Sequence, residues 1–177
     1  MKTVCKESSS KLIISKSHFY GYVFPLKNSS EVKEHLEIVR KKHKGCNHVA
    51  YAFRIGSVEN YSDDGEPCKS SGMPLFNLIK YNKLDDVLIC VARIFGGVKL
   101  GVSGLRSAYS EAGKLALSEN KLVEKEEFKE IVKEMSVVEF SKFEKDLKKK
   151  KIKYSCEFVG DKVNINLQIP LEEESSF

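Results

Sequence analysis

Apolar residues come in short bursts along this chain, and their spacing changes character several times. Leu12, Ile13 and Ile14, then Phe19, Tyr20, Tyr22, Val23 and Phe24, are β-branched or aromatic and stop at Pro25. The stretch from Lys11 to Phe24 therefore predicts two extended pieces or one long bent one. Val32, Leu36 and Val39 follow spacings of four and three. They predict an amphipathic helix from about Glu31 to His43, capped by Ser29 or Ser30 and stopped by Gly45. Alternation returns from Val49 to Ile55, with Val49, Tyr51 and Phe53 on one side and Ala50 and Ala52 on the other. Leu75, Leu78 and Ile79 suggest a short helix with Pro74 in its first turn. Val87 to Phe95 is the most apolar stretch and predicts a central strand. Leu105, Ala108, Ala112, Leu115 and Ala116 then recur at helical spacing to about Asn120, small enough to pack closely on a sheet.

The pattern changes after Asn120. Phe128, Ile131, Val132 and Met135 fit a strand and part of a helix equally well. Val137, Phe140, Phe143 and Leu147 predict a helix over Ser136–Lys151. Strands follow at Ile152–Val159 and Val163–Ile169, divided by Gly160-Asp161. The expected organisation is a first unit of residues 1–120 and a second of residues 121–177, ordered strand, helix, strand, strand, with a frayed end at Glu172–Phe177. Fewer than 60 residues cannot bury a large core, so the second unit is expected to pack on the first or on a partner.

Two segments fit none of these elements and carry the chemistry. In Tyr61-Ser62-Asp63-Asp64-Gly65-Glu66-Pro67, three carboxylates surround a glycine, a composition poor for strand and for helix interior alike. Asp63, Asp64 and Glu66 could hold Mg²⁺, supply an acid and a base, or simply solvate a loop or cap a helix. The spacing does not match a calcium loop. In Phe95-Gly96-Gly97-Val98-Lys99-Leu100-Gly101-Val102-Ser103-Gly104, the glycines match neither a Walker loop nor a dinucleotide loop. Lys99 and the helix that follows could receive an anion; the alternative is a tight crossover between strand and helix. Arg93, inside an apolar strand, is expected to pair with Asp63, Asp64 or Glu66. His48 has no second histidine at useful spacing, and no GxSxG elbow supports a triad. Lys148–Lys151 suits the end of a helix and is either a solvated face or a nucleic-acid patch.

Composition changes this picture only modestly. The net charge is +5, but residues 1–120 carry 18 basic and 12 acidic residues, net +6, and residues 121–177 carry 12 and 13, net −1. The excess in the first part permits attraction to RNA or another polyanion. Cys5, Cys46, Cys68, Cys90 and Cys156 are scattered and odd in number, which argues against a disulfide framework and against a metal site. No apolar run approaches the roughly 20 residues that span a bilayer, and no signal peptide is evident, so the cytoplasm is the expected compartment and no membrane partner is expected.

Taken in order, several blocks between Ser15 and Ser118 resemble the Impact/YigZ family. They are Asn47-His48-Val49-Ala50-Tyr51-Ala52-Phe53-Arg54-Ile55-Gly56, Ser62–Pro67 with Gly72-Met73-Pro74, Arg93–Gly101, and Gly104-Leu105 with Ala108-Tyr109. The resemblance implies an α+β fold. Its N-terminal domain would be like domain 2 of ribosomal protein S5, a left-handed βαβ-type sheet covered by helices. Residues 121–177 would be part of a small ferredoxin-like domain that stops before a final helix and strand. The resemblance also implies a surface cleft, here using His48, Arg54, Asp63, Asp64, Glu66, Arg93, Gly96, Gly97, Lys99, Gly101 and Tyr109. Eukaryotic members regulate translation by interfering with activation of the kinase that phosphorylates initiation factor 2. That contact is assigned to an extra N-terminal domain, which this short chain is expected to lack.

Three departures bear on the cleft. Asn47-His48-Val49 stands where the family has Thr-His-Asn, and Lys69-Ser70-Ser71-Gly72 where it has Gly-Thr-Ala-Gly. Arg106 lies one place earlier than the family's arginine, a turn of about 100° on a helix. The expected function is a non-enzymatic regulator of translation or stress response that binds RNA, the ribosome or a translation-associated protein. The alternative is an enzyme acting on a phosphorylated or nucleotide-like substrate through Asp63, Asp64, Glu66 and the Lys99 loop. No cofactor is expected, Mg²⁺ entering only with that alternative; a small anionic ligand would suit either.

Overall fold

The computed structural model describes residues 1–171, so the expected frayed end from Glu172 lies outside the described residues. The chain divides into two compact units, Met1–Lys125 and a second from Glu126 onward. In chain order the first contains β1 (Lys2–Val4), β2 (Ser8–Ile14), β3 (Ser17–Pro25), α1 (Glu31–Lys42), β4 (His48–Ile55), β5 (Val58–Ser62), α2 (Gly72–Tyr81), β6 (Val87–Ile94), α3 (Gly101–Ser118) and β7 (Leu122–Glu124). The second contains β8 (Phe128–Ser136), α4 (Val137–Lys149), β9 (Lys153–Val159) and β10 (Lys162–Pro170).

The main sheet has the order β2-β3-β6-β4-β5, with every neighbouring pair antiparallel. β6 is central, as its unbroken apolar run predicts, and seven of its eight residues are buried. β3 and β4 flank it and run parallel to each other, with α1 as the crossover between them. The alternation of β4 assigns the two faces. Val49 is buried and Tyr51 and Phe53 half-buried against α1, together with Val32, Leu36 and Val39. Ala50 and Ala52 face α2 and α3, where their small size lets Leu75, Ile79, Ala108 and Ala112 close on the sheet. Ser10 and Ser8 of β2 tie α3 down, donating 2.7 Å hydrogen bonds to the Ala112 and Ala116 carbonyls.

Several expectations need correction. The acidic loop does not begin directly after β4. β5 comes first, paired with β4 through a turn at Gly56-Ser57, and its solvated Glu59 and Asn60 hide the strand from pattern reading. α3 starts at Gly101, four residues before the predicted start, and so takes in part of the glycine loop. Ser30 holds the N-cap position of α1, but its side chain makes no cap hydrogen bond; Asn28 Oδ1 accepts from the Ser30 backbone N–H at 3.1 Å. The first unit does not end at residue 120. β7 pairs with β1 in the register Lys2↔Glu124, so the chain closes beside its own start. Lys125 adds 2.9 Å contacts to Asp85 and Asp86.

In the second unit, β10 lies between β8 and β9, antiparallel to both. The ambiguous stretch Phe128–Met135 is a strand because register with β10, not local spacing, decides it. Val163, Ile165, Leu167 and Ile169 alternate inward from β10 onto Phe140 and Leu147, giving this unit a small core of its own. Ser136 is the N-cap of α4 rather than its first residue, and with Glu139 it forms a reciprocal capping box.

Candidate functional site

Strand register explains why the site forms where it does. His48 stands opposite Arg93 across β4 and β6, and Phe19 stands opposite Arg93 across β3 and β6. Directly opposed residues share a face, so all three reach the α2/α3 side at one end of the sheet. Glu66 arrives there from the acidic loop. Its carboxylate is buried and accepts from Arg93 Nη1 at 2.7 and 3.0 Å and from the Tyr109 hydroxyl at 2.6 Å. His48 Nε2 lies 3.8 Å from Glu66 Oε2, an ion pair whenever the imidazole is protonated. Burial raises the Tyr109 phenol well above its usual range, and the Glu66 hydrogen bond and charge raise it further; Tyr109 is a fixed donor.

The other two carboxylates of the loop serve the fold. Asp63 accepts from the backbone N–H groups of Lys69, Ser71 and Gly72 and from the Ser71 hydroxyl, so it staples the loop to the start of α2. Burial opposes its charge, but these four donors outweigh it and hold Asp63 below the ordinary carboxylate range. Asp64 Oδ2 accepts from Val49 N at 2.7 Å and from Arg40 Nη1 at 3.2 Å. The Asp64 carbonyl accepts a hydrogen bond from His48 Nδ1–H at 2.7 Å, which leaves Nε2 toward Glu66. Gly65 turns the chain at φ +87° with His48 Nδ1 3.3 Å from where a Cβ would sit. The three carboxylates therefore point to three different partners and do not converge as Mg²⁺ ligands would.

The glycine loop forms the other wall. A Cβ on Gly96 would lie 2.0 Å from the Lys16 carbonyl carbon, so this position tolerates glycine alone. Gly96 N donates to Ser17 Oγ, and Phe95 N to Asn47 Oδ1. Gly97 and Gly101 take φ of +91° and +71°, and between them Lys99 makes no ion pair among the described residues. Between this loop and Glu66 opens a cleft of about 480 Å³, lined by His48, Arg93, Phe95, Lys99, Leu100 and Val102 among others.

Of the residues expected in the cleft, His48, Glu66, Arg93, Lys99 and Gly101 line it. Tyr109 is fully buried beneath it, Gly96 and Gly97 shape its wall, and Asp63 and Asp64 brace the loop behind it. Arg54 is elsewhere. It shares a face with His48 but lies six residues along β4, about 20 Å at strand rise, and pairs with Glu59 at 2.7 Å. Arg106 donates to the Lys69 carbonyl at 3.2 Å. Sequence reasoning missed Arg40, Ser71, Asn47 and Phe95, all of which act through backbone contacts or long-range pairing. Only Asn47, directly before His48, carried a local signal.

These same blocks match the family model described as the Impact N-terminal domain, over residues 15–117. The chain belongs to the Impact family. It is 31% identical over 126 residues to the Bacillus subtilis Impact family member YvyE, covering 70% of this chain and 58% of that protein. It is 40% identical over 105 residues to an Impact family member of Thermus thermophilus, covering 59% and 57%. The chain thus spans less than two thirds of the length of these curated relatives. A crystal structure described as that of a hypothetical protein superposes with a TM-score of 0.81 at 22% identity, covering 98% of this chain and 87% of that one, a likeness of fold.

Proposed function

We propose that this Impact-family chain is a non-enzymatic regulator linked to translation or stress response, and that its first unit contacts RNA, ribosomal RNA included. The observation that carries this is the contrast inside the cleft. Its one buried carboxylate is neutralised by Arg93 and hydrogen-bonded by Tyr109, whereas among the described residues Lys99 has no ion-pair partner and the first turn of α3 has no acidic residue. The excess of basic over acidic residues in the first unit agrees in sign. The tie to translation comes from the regulatory role of the family's eukaryotic members. In the same reading the first unit has the S5 domain 2-like fold, supported by the β3-α1-β4 crossover around β6. The second is a ferredoxin-like portion, supported by its β8-β10-β9 order. The cytoplasm is its place of action; no helix of the described residues is long and apolar enough to cross a membrane.

Binding to ribosomes and to single-stranded RNA, measured by co-sedimentation and filter retention between 50 and 300 mM salt (on the order of the range where phosphate contacts are lost), tests this. Affinity should fall steeply with salt, and Lys99→Glu should weaken it. Salt-independent binding, or binding only to a ribosome-associated protein, would overturn the RNA contact.

A further inference from the structure

We propose that β9 is a docking edge for a second copy of this chain, two β9 strands pairing antiparallel with Lys153 of each opposite Glu157 of the other. This goes beyond the RNA reading above and does not rest on it.

β9 is an outer strand of the small sheet. β10 pairs with one side of it, and no strand pairs with the other among the described residues. The outer side of such a strand presents a row of N–H and C=O groups ready for another strand, and proteins commonly blunt it with proline, a bulge or a very short strand. β9 has none of these. It runs seven residues, Lys153–Val159, and its register with β10 is unbroken from Lys153↔Gln168 to Val159↔Lys162. All of them but Tyr154 are exposed. Phe158 and Val159 are 58% and 57% exposed, beside a core of seven buried apolar side chains. A unit with so small a core gains most from covering such surface.

Charge decides what this edge accepts. Opposed residues of an antiparallel pair share a face, so a strand that pairs with its own copy needs both signs of charge on one face. The outer strands of the two larger sheets differ in this respect. β2 carries only Lys11 and β5 only Glu59, so neither complements itself. β8 has Lys129 and Lys133 on one face and Glu130 and Glu134 on the other, so self-pairing never sets a lysine opposite a glutamate. In β9, Lys153 and Glu157 share one face, turned away from Tyr154 and Phe158, whose rings meet Phe140 of α4. With Lys153 opposite Glu157, symmetry makes the pair twice. Ser155 then falls opposite Ser155, and Tyr154 opposite Cys156 on the α4 face. The lysines that shield this edge from other strands, Lys148–Lys151 and Lys153, come beside the other copy's acidic end at Glu157 and Asp161. Two three-stranded sheets become one continuous sheet with both α4 helices on the same face.

Sedimentation equilibrium of the full chain tests the proposal. One strand pair is a small interface, so the dimer should form with a dissociation constant on the order of 10–100 µM. Glu157→Lys, which sets lysine opposite lysine, should weaken it at least about tenfold, and Lys153→Glu should do the same. The double exchange, Lys153→Glu with Glu157→Lys, should restore the dimer, a recovery that a loss of folding or a general charge effect would not give. Both side chains are exposed, and circular dichroism checks that each variant is folded. Ser155→Cys reads the register: on oxidation it should yield a disulfide-linked dimer that the wild-type chain, with its own five cysteines, does not form. A wild-type chain that stays monomeric to about 500 µM, well above that range, would overturn the proposal. So would single variants that associate like wild type, or a double exchange that stays monomeric. A dimer that survives Glu157→Lys uses another surface and would overturn it equally.

Discussion

The acidic loop and the glycine loop face each other across one cleft but solve opposite problems. The acidic loop looks reactive by composition, yet its acceptors are engaged: Asp63 takes four donors, Asp64 holds β4 and Arg40, and Glu66 sits in a buried pair with Arg93 and Tyr109. The glycine loop looks featureless, yet among the described residues it leaves Lys99 without an ion pair and the start of α3 without a side-chain cap. Density of charged residues is thus a poor guide to a binding surface. What counts is which donors and acceptors remain after the fold has taken its share.

Mutations can break this contrast, and the largest effect is expected on the acidic side. Glu66→Ala strands the Arg93 cation in a buried position and should cost about 3–5 kcal/mol, read by urea denaturation. A loss below about 1 kcal/mol would mean that the pair is not part of the frame. Gly96→Ala should cost about 3 kcal/mol, because its Cβ would collide with the Lys16 backbone and not with a movable side chain. The same denaturation curves check it, and a neutral result would show that the glycine loop is pliable. Asp63→Asn should cost about 1–3 kcal/mol by weakening charge-assisted bonds to the start of α2.

That last substitution also has a pH signature. The folded state lowers the proton affinity of Asp63, so its contribution is fully present above the ordinary carboxylate pKa and is lost as pH falls through the lower folded value. The stability gap between wild type and Asp63→Asn should therefore narrow below about pH 4. A gap that widens on acidification would reverse the assignment. Least of all should change with Lys99→Ala: its melting temperature should match wild type, a stability change within about 0.5 kcal/mol, because Lys99 has no ion pair to lose among the described residues. A clear loss would mean that Lys99 serves the fold as Asp63 does.

Much of the first unit was legible in the chain. The alternation of Val49–Ile55 assigned both faces of β4, the apolar run of Val87–Phe95 marked the centre of the sheet, and small residues marked the packed side of α3. β1, β5, β7 and β8 were not legible, because pairing with a distant strand creates them: Lys2 with Glu124, Ala52 with Tyr61, Ile131 with Leu167. For the site, the pairing of Arg93 with one of three carboxylates was foreseeable and the choice of Glu66 was not. Asp63 and Asp64 are claimed by backbone N–H groups that no pattern of side chains reveals. The resemblance put Arg54 in the cleft with His48, but six residues of extended strand carry it to the other end of β4.

The pairing of β1 with β7 makes the first unit nearly circular. Its start and finish lie on adjacent antiparallel strands, with Lys2 opposite Glu124, on the order of 5 Å apart. A linker of a few residues could join them, and the chain could be reopened at the Gly56-Ser57 turn between β4 and β5 without cutting any element that frames the cleft. Such a permutant would keep the same cleft while moving the point of attachment of the second unit to the far end of β4.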